Sequence, residues 1–224
     1  MSRTGVEAVA FDVNETLFSL DRLGPAFTTV GLDAGLVPLW FARLLRDGFA
    51  LAAMSDYRPF AELAADALRG LDPERVDDAA VEVVMGAFRE LDPHPDVEPA
   101  LRLLTEAGIP AVTLTNGSAS LVRTLLDRAG LARYVGAKLS VDAVRRWKPA
   151  PEPYRYAATE LRVAPGRLAL VAAHPWDCAG AARAGLGAAW VRRTPAHWPT
   201  VFSEPDVTGA DLLGVVRALL ADQL

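Results

Sequence analysis

Residues 6–17 read Val-Glu-Ala-Val-Ala-Phe-Asp-Val-Asn-Glu-Thr-Leu, a short apolar run that ends on an acid. A run of this length is a strand candidate, and a strand covered on both faces tolerates near-continuous apolarity. Three similar runs follow, Ile109 to Thr115, Leu168 to Ala172 and Gly187 to Val191. Between them, residues 97–107 and 118–129 carry apolar side chains at helical spacing. Helices are also expected over 153–161, 178–184 and 209–222. Strands alternating with helices predict a parallel α/β sheet.

The segment 19–92 breaks that alternation. It shows helical patterns over 36–54, 59–69 and 73–90, with one apolar stripe of Leu36, Leu39, Trp40, Leu44 and Leu45 and another of Phe60, Leu63, Ala64 and Leu68. Pro93 and Pro95 interrupt the chain before the α/β pattern resumes. The simplest layout is a helical insertion after the first strand. Ligands of open parallel sheets bind beyond the carboxyl ends of the strands, so the residues that follow each run belong together.

Composition narrows the function classes. The 224 residues are 51% apolar and 23% charged with a net charge of -5, values of an ordinary globular protein. No basic run offers a footprint for nucleic acid or an anionic membrane. Cys178 is the only cysteine, which excludes an intrachain disulfide and suits a reducing compartment. The first residues lack a signal-peptide pattern, and Val6 to Val13 is too short to span a membrane, so a cytoplasmic protein is expected.

Four pieces at the strand ends carry chemistry. Asp12, in Phe-Asp-Val-Asn-Glu-Thr, is a carboxylate placed to attack an electrophilic carbon or phosphorus, or else merely caps a turn while Thr16 starts a helix. Thr115-Asn116-Gly117-Ser118 precedes a helix and suits an anion, or else a plain N-cap. Lys148, in Trp-Lys-Pro, can hold a carboxylate ionised, although a lone lysine is more often solvated. His174-Pro175-Trp176-Asp177 supplies a proton-transfer group and a second acid, or else a half-buried loop histidine.

In this order, the four pieces resemble the motifs of the haloacid dehalogenase superfamily, and the chain looks closest to its type II (L-2-) haloacid dehalogenases. The resemblance rests on FDVNETLF, the pattern of Trp40, Leu45, Tyr57 and Phe60, TLTNGS, KP followed by Tyr154, and HPWD. It implies a doubly wound parallel-sheet, Rossmann-like core over 1–18 and 93–224 with a helical cap over 19–92. It also implies hydrolysis of 2-haloalkanoates through an ester on Asp12, with no cofactor and no metal, a small carboxylate as substrate, and a possible homodimer. By the same resemblance, Thr16 supports Asp12, Thr115 and Asn116 hold the substrate carboxylate, and Lys148 stabilises the nucleophile. Tyr154 matches an active-site tyrosine and Asp177 the residue near the hydrolytic water, while Leu45, Phe60 and Trp176 match the apolar wall.

Most of the superfamily are magnesium-dependent phosphohydrolases, which carry a second aspartate two residues after the nucleophile and an acidic metal ligand in the last motif. Those places hold Asn14, and Ala172 and Ala173. An amide does not donate and recover a proton as a carboxyl does. Halide needs neither group, so the phosphatase reading ranks below the dehalogenase and below a related hydrolase opening another carbon–heteroatom bond, such as an azetidine-carboxylate ring. The chain also departs from the dehalogenases, whose halide-receiving arginine aligns with Phe41. Candidates to replace it are His174, Asn14, Arg43 and Arg46, and the expectation falls on His174 with Asn14.

Overall fold

The computed structural model describes residues 5–194 and 197–221. Six parallel strands form one sheet in the order β3-β2-β1-β4-β5-β6: β1 Ala8–Phe11, β2 Ala111–Thr115, β3 Lys138–Ser140, β4 Leu168–Ala172, β5 Gly187–Val191 and β6 Val207–Gly209. Phe11 pairs with Thr113 of β2 on one side and with Val171 of β4 on the other. This is the expected doubly wound α/β sheet, with β1 at its centre.

The central strands are buried on both faces because alternate residues enter different layers. Ala8 and Ala10 pack towards α7 (Pro151–Leu161) and α8 (Pro175–Arg183), with Tyr154, Ala157 and Ala181. Val9 and Phe11 join the other layer, built from α5 (Val97–Glu106), α6 (Ala119–Arg128) and α9 (Leu212–Ala221). The strands β4 and β5 coincide with the apolar runs, whereas β1 and β2 are two or more residues shorter than theirs. β3 and β6, the two edges, were not anticipated. Lys-Leu-Ser and Val-Thr-Gly are short and half polar, which protects a sheet edge and also conceals it from apolar periodicity.

Four helices lie between β1 and α5: α1 Leu23–Thr29, α2 Val37–Ala53, α3 Phe60–Arg69 and α4 Asp78–Phe88. α1 was not expected, because Leu-Gly-Pro reads as a turn, yet its proline falls in the first turn where no backbone donor is lost. α4 starts five residues later than expected, where Asp77 accepts a hydrogen bond from the Ala80 N–H at 2.8 Å. The stripe on α2 is Val37, Trp40, Phe41, Leu44, Gly48 and Ala52. Leu39, assigned to it from the sequence, is 43% exposed, since it lies one residue and about 100° around the helix from Trp40.

The chain leaves and re-enters the sheet at one place. Phe18 bridges Asn14 and Pro93, and the Ser19 N–H donates to the Asp92 carbonyl at 2.9 Å. The helical insertion then folds back over the carboxyl ends of the strands. Trp147, in the loop after β3, lies against Gly48 of α2, stacks on Phe60 of α3 at 6.0 Å, and donates its indole N–H to the Arg58 carbonyl at 2.9 Å. The Tyr57 hydroxyl also donates to Asp142.

Candidate active site

Asp12 follows β1 directly, with its backbone N–H bonded to the Val171 carbonyl of β4. Its side chain is only 7% exposed. Lys148 Nζ, fully buried, lies 2.9 Å from Asp12 Oδ1, 2.5 Å from Asp177 Oδ2 and 2.8 Å from the Leu114 carbonyl at the end of β2. All three ammonium donors are thereby used. The Asn116 side-chain carbonyl accepts the Lys148 backbone N–H at 2.9 Å and so fixes the loop that delivers the lysine. The peptide bond between Lys148 and Pro149 is cis.

Thr16 does not begin a helix. Its hydroxyl donates to Asp12 Oδ2 at 2.7 Å and accepts the Ala173 N–H at 2.9 Å, tying the loop after β1 to that after β4. Asp177, in the first turn of α8, receives the Tyr154 hydroxyl on Oδ1 at 2.6 Å. His174 caps that helix and bonds through both nitrogens, Nδ1 to Asp12 Oδ2 at 3.3 Å and Nε2 to Glu15 Oε2 at 2.8 Å.

Charge is distributed unevenly. Burial pushes the Asp12 carboxyl up, but the Lys148 charge and the donors His174 and Thr16 outweigh it and hold the group below its usual range. Burial likewise opposes charge on Lys148, yet Asp12 and Asp177 keep its ammonium above the ordinary value. On Asp177 burial wins, with repulsion from Asp12 adding to it, and its carboxyl is raised. His174 would be lowered by burial, but its bonds to Asp12 and Glu15 push it up to about 10. The surroundings therefore favour an ionised Asp12 carboxylate between the Lys148 ammonium and the His174 imidazole.

Asp12, Thr16, Lys148, Tyr154, Asp177 and His174 form one hydrogen-bonded cluster, and Asn116 joins it through the Lys148 backbone. The Asn116 amide nitrogen is buried without a partner among the described residues, a donor suited to an anionic ligand. Phe41 and Trp176 flank the imidazole of His174, with ring centres 6.1 and 5.2 Å away. Thr115 accepts the Gly117 N–H at 2.9 Å and shapes the turn after β2. Phe60 stands further off with Trp147 and Phe88, beside a cavity of about 240 Å³ that includes Ser118 and Ser120. Leu45 is partly buried on the cap.

The groups considered for the leaving halide fare differently. Arg43 donates to the Gly70 carbonyl at 3.0 Å and Arg46 pairs with Asp47, so neither faces Asp12. Both nitrogens of His174 are taken, by Asp12 and by Glu15. Asn14, 6% exposed, makes no side-chain hydrogen bond among the described residues. Glu15 was not singled out from the sequence, where a glutamate beside a turn reads as solvated. Its φ of 59° and its bond to His174 appear only in three dimensions.

A second carboxylate for a magnesium ion is missing where phosphohydrolases carry one. Asp177, the acid that remains, commits one oxygen to Lys148 and the other to Tyr154. Among the described residues, no group of three or more histidines, cysteines and acids is arranged to hold a metal. This donor set does not fit magnesium, which wants several free oxygen ligands.

A buried aspartate after the first strand, a lysine bridging it to a second aspartate, and a helical cap define a class, and comparison with known proteins gives it a name. Residues 6–185 match the family model of haloacid dehalogenase-like hydrolases, and the chain belongs to that family. Within it, the chain stands with the type II enzymes. It is 26% identical over 218 residues to (S)-2-haloacid dehalogenase 2 of Pseudomonas sp. (strain CBS-3), covering 93% of this chain and 94% of that one. It is 30% identical over 168 residues to (S)-2-haloacid dehalogenase 4A of Burkholderia cepacia, covering 73% of each. A crystal structure of an L-2-haloacid dehalogenase superposes with a TM-score of 0.90 at 28% identity, over 97% of this chain and all of that one.

Proposed function

We propose that this protein hydrolyses the carbon–halogen bond of short 2-haloalkanoates through an aspartyl ester on Asp12, without a metal ion. The observation that carries this reading is a buried carboxylate, kept ionised by Lys148 at 2.9 Å, with no carboxyl at position 14 to protonate a leaving group. In the first step an Asp12 oxygen bonds to C2 as the carbon–halogen bond breaks and halide departs with the bonding pair. Asn116 and Thr115 receive the substrate carboxylate, and Phe41, Leu45 and Trp176 exclude water. In the second step water adds to the carbonyl carbon of the Asp12 ester, with Asp177 accepting its proton. Release of the 2-hydroxy acid restores Asp12, and one halide and one proton leave overall. Residues 19–92 serve as the cap that closes this site. The enzyme acts in the cytoplasm and as a homodimer.

Single-turnover reaction with 2-chloropropionate in heavy-oxygen water tests the route. Label is expected in the Asp12 side chain first and in lactate only on later turnovers. Label entering the product directly would disprove the ester. A chelator is expected to leave the rate unchanged, whereas a strict magnesium requirement would restore the phosphatase reading.

A further inference from the structure

Glu15 holds a backbone conformation that side-chain-bearing residues rarely adopt, with φ at 59°. Such strain persists only where the surroundings over-determine it, and it concentrates at functional sites. Here the backbone is pinned twice: the Glu15 N–H donates to the Phe18 carbonyl at 2.8 Å, and His94 Nε2 donates to the Glu15 carbonyl at 3.0 Å. The result aims the carboxylate at His174 Nε2, 2.8 Å away, while Nδ1 of that imidazole meets Asp12 Oδ2.

The two oxygens of Asp12 are not equivalent. A carboxylate oxygen has two in-plane lone pairs. Oδ2 uses both, on the Thr16 hydroxyl and on His174, whereas Oδ1 uses one, on Lys148. Oδ1 is therefore the attacking oxygen, and Oδ2 becomes the carbonyl oxygen of the ester. Negative charge collects on that carbonyl oxygen when water adds, and donors already in place there lower the barrier.

We propose that Glu15 is a positioning residue for the second half-reaction: it fixes His174 as the donor that, with Thr16, stabilises the oxyanion formed on Asp12 Oδ2. The inference rests on the aspartyl-ester reading above. It gives Glu15 a step-specific effect. In the free enzyme two carboxylates face His174, Asp12 from the end of β1 and Glu15 from the loop after it. Phe41 of α2 and Trp176 of α8 pack on the ring without charge, and Lys148 reaches it only across Asp12. Once Asp12 is esterified, Glu15 is the carboxylate that remains on the imidazole. Loss of Glu15 must then slow ester hydrolysis more than ester formation.

The test compares wild type, Glu15→Gln and Glu15→Gly in rapid-mix reactions with 2-bromopropionate, following halide release and the mass of the protein. Both variants are expected to release about one equivalent of halide in a burst, then to turn over about 10- to 100-fold more slowly. That is less than the hundredfold or greater loss usual for deleting an oxyanion donor outright. Protein carrying a 1-carboxyethyl ester on Asp12 is expected to accumulate. Glu15→Gly, which suits the left-handed backbone, should melt at or above the wild-type temperature while showing the same kinetic defect. NMR titration of the histidine rings in resting enzyme should show His174 losing its proton at lower pH in Glu15→Gln. An ester that forms and decays at wild-type rates in both variants would overturn the role of Glu15 while leaving the ester mechanism standing. An unchanged His174 titration would likewise overturn it. Absence of halide release and of any ester in wild type would overturn the parent reading, and this inference with it.

Discussion

His174 illustrates how far the fold sets the character of a single residue. An isolated imidazole titrates near 6.5, but this one, 14% exposed, is pushed up to about 10 because its two carboxylate partners outweigh burial. A group whose pKa rises on folding adds stability that is fully present below its unfolded value and is lost as pH rises through the folded value. The relevant window is about 6.5 to 10. Urea denaturation at pH 6, 8 and 10 is expected to show wild type losing stability across that range more steeply than His174→Gln. Parallel curves would mean that the imidazole is neutral in the folded protein. Asp12 has the opposite sign. Its depressed carboxyl stabilises the fold above the usual carboxylate range, and that contribution fades only in acid.

Among the elements, α8 bears most directly on the site. Its first turn supplies Asp177, its cap supplies His174, and its interior packs against the loop after Lys148 through Gly180. A Cβ at position 180 would stand 2.5 Å from the Tyr154 hydroxyl oxygen and 3.1 Å from the backbone Cα of Pro149. The side chain of Tyr154 can shift, whereas the Pro149 backbone is held between Lys148 and α7. Gly180→Ala is therefore expected to cost about 1–3 kcal/mol through overpacking. It should also lower kcat, by turning Tyr154 away from Asp177. Thermal melting and steady-state kinetics check both, and a wild-type kcat in a destabilised variant would show that the Tyr154 contact is only structural.

For the molecule as a whole, the question is how the cap sits on the core. Trp147 carries much of that contact: it is fully buried, pressed on Gly48, stacked on Phe60 and bonded to the Arg58 carbonyl. It immediately precedes Lys148, so the position of the cap and the placement of the lysine are mechanically joined. Trp147→Phe keeps a ring but removes the hydrogen bond to the part-buried Arg58 carbonyl, a loss of about 0.5–1.5 kcal/mol. The expected outcome is a lower melting temperature together with a higher KM, because a looser cap orders the apolar wall less well. Tyr57→Phe, which removes only the bond to Asp142, should shift KM in the same direction by less. Equal KM in all three proteins would show that the cap position does not depend on these contacts. No helix among the described residues is long and apolar enough to cross a membrane.

The sequence by itself determined the sheet, most of its helices and which polar groups meet at the strand ends. Apolar runs such as Leu168–Ala172 report burial on both faces, which is a local property of composition and period. The order of Asp12, Lys148 and Asp177 after successive runs placed them together, because a parallel sheet brings its strand ends to one edge. The edge strands β3 and β6 escaped notice, since half-polar residues leave no period to read. Tertiary structure alone decided the charge of each group and the partners of His174. Lys148 lies 136 residues from Asp12, and His174 lies 159 from Glu15. Electrostatic strength depends on separation and dielectric, neither of which chain position encodes. For the same reason Glu15 resembles a solvated acid in the linear chain and becomes a partner of the nucleophile's histidine only once β1 and β4 are paired.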